Sequence, residues 1–345
     1  MDSIKGDPIA HDNFGRASRL GTASVIAGGD NAAKVRYAKA QELRMRSFSM
    51  TSSLCAVMLT TVVRAEVPLR WDATGHVVVP TMVDGTGPID FILDTGADET
   101  GVFSGLAKQL NLPTVGSTEL SGATGSAESV QLRVSALSVD GHEIDNFLVD
   151  TLPDRPDGAK LGGVVGADLM VGQLTVMDFG CGTAALLPLK SSERVIGRHA
   201  HRVDAGSIPG GKQLTLSVTI NGASGLALLD SGARTTLVNR AFASAAGLDP
   251  QSAAFRDGDP ARGASQRAVN SRVGTIGTVT FAGITRKGAT ARVVDLPFLE
   301  EAGLSHAPVM VLGLDLLQGT RLSLDYSGRR FWIAPSHCSS SAGSH

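Results

Sequence analysis

Two long stretches of this chain follow one template. "VVVPTMVDGTGPIDFILDTGADETGVFSGLAKQLNL" can be laid against "LTLSVTINGASGLALLDSGARTTLVNRAFASAAGL". Each predicts an alternating strand, a tight turn at Asp84-Gly85 or Asn221-Gly222, a second strand, an Asp-Thr/Ser-Gly tripeptide and a short helix. The correspondence continues downstream. "SGATGSAESVQLRV" at 121–134 matches "RGASQRAVNSRVGT" at 262–275, two Gly-bearing hairpins. "GGVVGADLM" then matches "VMVLGLDLL", and "LTVMDFG" matches "RLSLDYSG". A pattern repeated in the same order restricts the fold to two copies of one compact unit, each of roughly 120 to 140 residues.

The repeat divides the chain into a first lobe at 66–189 and a second at 213–335. Between them, residues 190–212 are polar and aperiodic and read as a linker, and 336–345 read as a flexible tail. With 41 glycines and only 4% aromatic residues, the composition fits many tight turns between short strands, so the expected class is mostly β. An apolar share of 42% can build a real core. A net charge of -2 with 19% charged residues offers no basic field for a nucleic-acid backbone, which excludes polyanion binding.

Upstream of the repeat, "MRSFSMTSSLCAVMLTTVVRAEVP" has the layout of a secretory signal over 45–65: Arg44 and Arg46, an apolar run from Leu54 to Val63, and small residues up to Ala65. The run is about ten residues against the ~20 a membrane-spanning helix needs, so no stable membrane span is expected. The simplest account starts translation at Met45 or Met50, with 1–44 a misassigned extension. The alternative is a disordered N-terminal arm. Export predicts a periplasmic or secreted protein. Cys181 and Cys338 remain outside the signal, and either one disulfide or two free thiols is open to them. No CxxC pair or zinc ligand set occurs, and His199 with His201 in "GRHAHR" reads as exposed linker, so no metal and no cofactor are called for.

One Asp-hydroxyl-Gly stretch is an ordinary turn, since Asp and Ser/Thr cap turns and Gly frees the backbone. Two of them, each behind an apolar strand and each followed by Ala (Ala97, Ala233), ask for more. If folding brings Asp94 and Asp230 together, both carboxylates cannot ionise at once, and they titrate as one proton-sharing unit. Such a pair can deprotonate a water for attack on an amide carbonyl and protonate the departing nitrogen, with no covalent intermediate. A pseudo-two-fold axis between duplicated lobes supplies the facing loops. Thr95 and Ser231 would hold those loops by hydrogen bonds across the axis, and Gly96 and Gly232 would allow their close approach.

"LDTGAD", "LLDSGA", "VVGADLM" and "VLGLDLL" resemble the signatures of the retropepsin-like aspartic protease superfamily, specifically the bacterial gag-type aspartyl protease group. The resemblance covers residues 75 to 335 and implies two β-barrel lobes around one cleft, with Asp94 and Asp230 as the catalytic pair of an aspartic endopeptidase. It also implies that Gly166 and Gly313 pack behind the loops, and that Gly122, Ala123, Thr124 and Gly125, with Gly263, Ala264 and Ser265, form flaps closing on an extended peptide or protein substrate. Asp168 and Asp315 would open the following helices, where an acid complements the helix dipole. Neither flap carries a tyrosine, unlike pepsin-like enzymes, and Ala97 and Ala233 offer no hydroxyl beside the carboxylates. Activity is therefore expected towards mildly acidic or neutral pH. The working expectation is a monomer with intramolecular lobe pairing. The rivals are lobes that pair between chains and a non-catalytic peptide-binding protein on the same fold. No GxSxG elbow, HExxH helix or phosphate loop supports another hydrolase.

Overall fold

The computed structural model describes residues 66–208 and 211–338. The extension at 1–44, the signal at 45–65 and the end of the tail lie outside the described residues. Among the described residues no helix is long and apolar enough to cross a membrane.

Each lobe is a closed ring of six strands. In the first, Val77–Val83 pairs with Thr86–Leu93, which runs parallel to Gly163–Val165. Gly101–Phe103, His142–Leu152 and Gly125–Val139 follow in turn, and the last returns to Val77–Val83. In the second, Leu214–Ile220, Ala223–Leu229, Val309–Leu312, Leu237–Val238, Ile284–Val293 and Ala268–Phe281 close in the same sequence and with the same directions. Closure leaves few free edges, and residues alternate between the packed interior and the outside. The turns follow from their sequences. Asp84-Gly85 and Asn221-Gly222 have positive φ at both positions (49° and 74°, 51° and 89°), the geometry a two-residue hairpin demands. The Asp84 and Asn221 carboxyl and amide oxygens then accept from Ala136 N and Thr278 N, both at 2.9 Å, tying each turn to the strand that closes its barrel.

A third sheet joins the lobes. Its order is Val67–Pro68, Thr183–Pro188, Gln173–Asp178, Thr320–Asp325, Arg330–Pro335 and His201–Asp204. The middle pair is antiparallel, with Val176 opposite Ser323 and Met177 opposite Leu322, so the last hairpins of the two lobes meet side by side. One continuous apolar cluster runs through both barrels and this sheet, from Phe91 and Leu93 to Leu229, Leu322 and Phe331.

Two expectations need adjusting. The segment read as an aperiodic linker holds a short helix, Ser192–Val195, and two strands, His201–Asp204 on the edge of the joining sheet and Gly206–Ser207 against Leu214–Ile220. Strands of two to four residues are too short to leave a period in the sequence. The start of the tail is also fastened rather than loose. Cys338 forms a disulfide with Cys181, 157 residues away, and Ser336 donates its N–H to Gly319 O (2.8 Å) and its hydroxyl to Asp178 Oδ1 (2.5 Å).

A cross-link closing so long a loop limits the unfolded chain. Cys338→Ser should lower the unfolding free energy by about 2–5 kcal/mol, read by urea denaturation without reductant. Equal midpoints for variant and wild type would mean that the bridge does not form.

Candidate active site

Asp94 and Asp230 stand where the central strand of each barrel ends. Thr86–Leu93 and Ala223–Leu229 are buried over their last three residues, and the chain then turns out of the core. Asp94 N donates to Val165 O (3.0 Å) and Asp230 N to Leu312 O (3.1 Å), which continues the parallel pairing by one residue in each lobe. Beyond that point the side chain takes over. Asp94 Oδ1 accepts from Gly96 N (2.7 Å) and Ala97 N (3.1 Å), and Asp230 Oδ1 from Gly232 N (2.8 Å) and Ala233 N (2.9 Å). Each carboxyl is thus held by its own loop, with its second oxygen free of these bonds.

The hydroxyl residues cross between lobes. Thr95 N donates to Ser231 Oγ (3.0 Å) and Ser231 N to Thr95 Oγ1 (2.9 Å), while the Thr95 hydroxyl donates to Leu229 O (2.9 Å) and that of Ser231 to Leu93 O (2.6 Å). Both residues are fully buried. The glycines are needed for proximity. A Cβ on Gly96 would stand 2.5 Å from Asp230 Cγ, and one on Gly232 would stand 2.2 Å from Asp94 Oδ2. Each carboxyl therefore lies against the other loop's glycine, close enough for the charge on Asp230 to bear on Asp94. A single chain supplies both.

Burial and this proximity together set the electrostatics. Burial, and next the Asp230 charge, push Asp94 well above the usual carboxylate range. Burial raises Asp230 as well, against the pull of the Ala233 and Gly232 amides. Both residues remain only half-buried, so solvent reaches them.

Behind the loops, the Gly166 and Gly313 expectation has a steric reason. A Cβ there would meet the Glu99 backbone at 2.5 Å or the Ala233 carbonyl oxygen at 2.8 Å. Asp168 and Asp315 do begin short helices, Ala167–Met170 and Leu314–Leu317, but four-residue helices carry little dipole. Their carboxylates instead reach Thr100 and Thr236. Asp168 accepts from Thr100 N (2.9 Å) and Oγ1 (2.6 Å), and Asp315 from Thr236 N (2.9 Å) and Oγ1 (2.7 Å). The same hydroxyls accept from Gly166 N and Gly313 N. Thr100 and Thr236, six residues past each Asp, escaped the sequence reading, although their equal offset in the repeat was visible.

The hairpin tips also come together. Ala123-Thr124 form a two-residue turn between Gly122 and Gly125, while the second tip spans the five residues 263–267. Thr124 Oγ1 accepts from Gly263 N (3.1 Å) and bonds the Ser265 hydroxyl (3.1 Å), and Gly122 packs on Ala264. Each tip leans on the opposite lobe: Ala123 packs in a cluster with Leu228, Leu296 and Val311, and Ala264 in one with Phe103, Leu120 and Leu152. The predicted residues thus fall into two groups, a floor of paired loops and a pair of touching tips.

A family model described as aspartyl protease matches residues 79–169 and, a second time, 216–316, together more than half of the chain. Each matched segment carries one Asp loop, one hairpin tip and one Gly-X-Asp helix start. No curated protein matches the chain.

The raised carboxyls have a consequence for stability. A folded-state pKa above the unfolded value of about 3.9 gives stability that is complete below that value and is lost as pH rises through the folded pKa. Asp94→Asn removes one of the two like charges. The variant should match wild type near pH 3 and exceed it by about 1 kcal/mol or more at pH 7, measured as urea unfolding against pH. Parallel curves for the two proteins would show that the fold does not raise the Asp94 carboxyl.

Proposed function

The chain belongs to the aspartyl protease family, and on that premise we propose that it is an exported aspartic endopeptidase with Asp94 and Asp230 as its catalytic pair. The observation that carries this reading is the reciprocal packing of each carboxyl against the other loop's glycine. One ionised and one protonated carboxyl can hold a water between them. The ionised member takes a proton from the water as its oxygen bonds to the peptide carbonyl carbon, and the protonated member donates to the carbonyl oxygen. Collapse of the tetrahedral diol breaks the C–N bond as the carboxyl that took the water's proton passes it to the leaving nitrogen and the other takes a proton from the diol. This leaves one new carboxyl end, one new amine and the pair as it began. The amides of Gly96, Ala97, Gly232 and Ala233 keep both side chains aimed without bonding their outer oxygens.

The substrate is an extended peptide that enters when the touching tips part. The tips are long two-stranded hairpins held to each other by few polar bonds, which suits a gate. The apolar residues they cover, Phe103 and Leu152 on one side and Leu296 and Val311 on the other, suit apolar side chains flanking the cut bond. Export agrees with the Cys181–Cys338 bridge, since disulfides persist in oxidising compartments. With both loops from one chain, a monomer is the proposed active form.

Asp94→Asn and Asp230→Asn should each lower kcat/KM on a peptide library by at least about 10²-fold while leaving peptide binding in place. Wild type should give a bell-shaped profile with activity extending to mildly acidic or neutral pH. A maximum confined below about pH 3 would contradict the raised pair. A wild-type chain that binds peptides as its Asn variants do and cuts none would be a peptide-binding module instead.

A further inference from the structure

Several contacts distinguish the two Asp loops: Gln213 Nε2 donates to Gly96 O at 3.4 Å on the first loop, and a shorter bond lies behind Thr95. The phenol of Tyr326, buried at the end of the strand Thr320–Asp325, donates to Thr95 O at 3.2 Å. In the repeat, "LTVMDFG" against "RLSLDYSG", its counterpart is Phe179, which is buried as well but has no hydroxyl to donate. Thr95 C=O and Gly96 N–H are the two ends of one peptide group. Gly96 N–H makes the shortest of the four amide bonds to the carboxyl pair, 2.7 Å against 3.1, 2.8 and 2.9 Å. A hydrogen bond accepted at an amide oxygen polarises that amide and strengthens its N–H as a donor.

The geometry points to Tyr326 as a positioning residue that breaks the two-fold equivalence of the carboxyl pair, acting through the Thr95–Gly96 peptide to favour the ionised form of Asp94. It opposes, on one side only, the rise that burial and the neighbouring charge impose on that carboxyl. A symmetric pair would leave either member free to be the base, whereas this contact biases the choice. The other ionisable groups around it are Asp230 on the facing loop, and Asp98 just beyond Asp94, whose carboxylate accepts from Lys212 N at 2.7 Å and whose main-chain oxygen accepts from the Lys212 ammonium. Burial first, then the charges of Asp94, Asp230 and Asp98, hold the Tyr326 phenol in its protonated form, so it stays a donor throughout the working pH range.

The kinetic consequence rests on the endopeptidase reading, but the titration does not. The test follows the side-chain carboxyl carbons of Asp94 and Asp230 by NMR in the full chain labelled with carbon-13 aspartate, each signal assigned by its loss in Asp94→Asn or Asp230→Asn. Tyr326→Phe should move the Asp94 titration up by about half a pH unit, with KM little changed and the acid limb of kcat/KM moving with it, while the melting temperature falls by the few degrees that one lost buried hydrogen bond costs. Replacing tyrosine by the more acidic 3-fluorotyrosine, with Tyr37 the only other site in the sequence, strengthens the donor and should move the titration down. It also serves as the deciding arm if the phenylalanine variant does not fold. Opposite shifts support the assignment, because a merely structural contact would lower stability without moving the titration in two directions. An Asp94 curve unmoved by the fluorinated residue overturns it. A chain that shows both shifts but cuts no peptide would defeat the endopeptidase reading and leave this one standing.

Discussion

Thr95 and Ser231 each give the other loop an amide donor, a hydroxyl acceptor and a hydroxyl donor, and the rest of the site depends on that exchange. Two full negative charges about 4 Å apart repel by about 4 kcal/mol at the effective dielectric of a protein site. Four buried hydrogen bonds at about 1 kcal/mol each are of the same order, and breaking any of them strands a buried polar group at about 1–3 kcal/mol. The exchange is therefore strong enough to hold the carboxyls together, and a shared proton removes most of the repulsion it must resist.

The architecture brings the loops to that meeting point. Each barrel is closed, so its central strand and the loop that follows it have little freedom to shift. The joining sheet then fixes one barrel against the other, with Gln173–Asp178 and Thr320–Asp325 side by side and one apolar cluster running through both lobes. Thr100 with Asp168, and Thr236 with Asp315, brace each loop from behind. The hairpin tips bond each other through Thr124 and each leans on the apolar cluster of the opposite lobe, so they roof the paired loops.

Much of this was legible because it is local and stated twice. The turn residues Asp84-Gly85 and Asn221-Gly222, the strand ends and the Asp-hydroxyl-Gly loops all carry their geometry in adjacent residues, and the repeat made their partnership visible. What sequence could not supply is long-range or very short. Tyr326 lies 231 residues from the carbonyl it serves, and nothing near either residue announces the contact. The choice between a disulfide and two thiols at Cys181 and Cys338 depended on where the tail runs. The edge strands inside the linker, at two and four residues, have no period to detect. Asp168 and Asp315 were placed correctly at helix starts, yet their main partners are threonines on another segment.

The central claim is that Asp94 and Asp230 act as one proton-sharing unit. Neutron diffraction from crystals of the deuterated protein at about pH 6 observes this directly. The account predicts one deuteron on the pair, with the carboxyls in mutual hydrogen-bonding contact. Two separated carboxylates with no deuteron between them would contradict it.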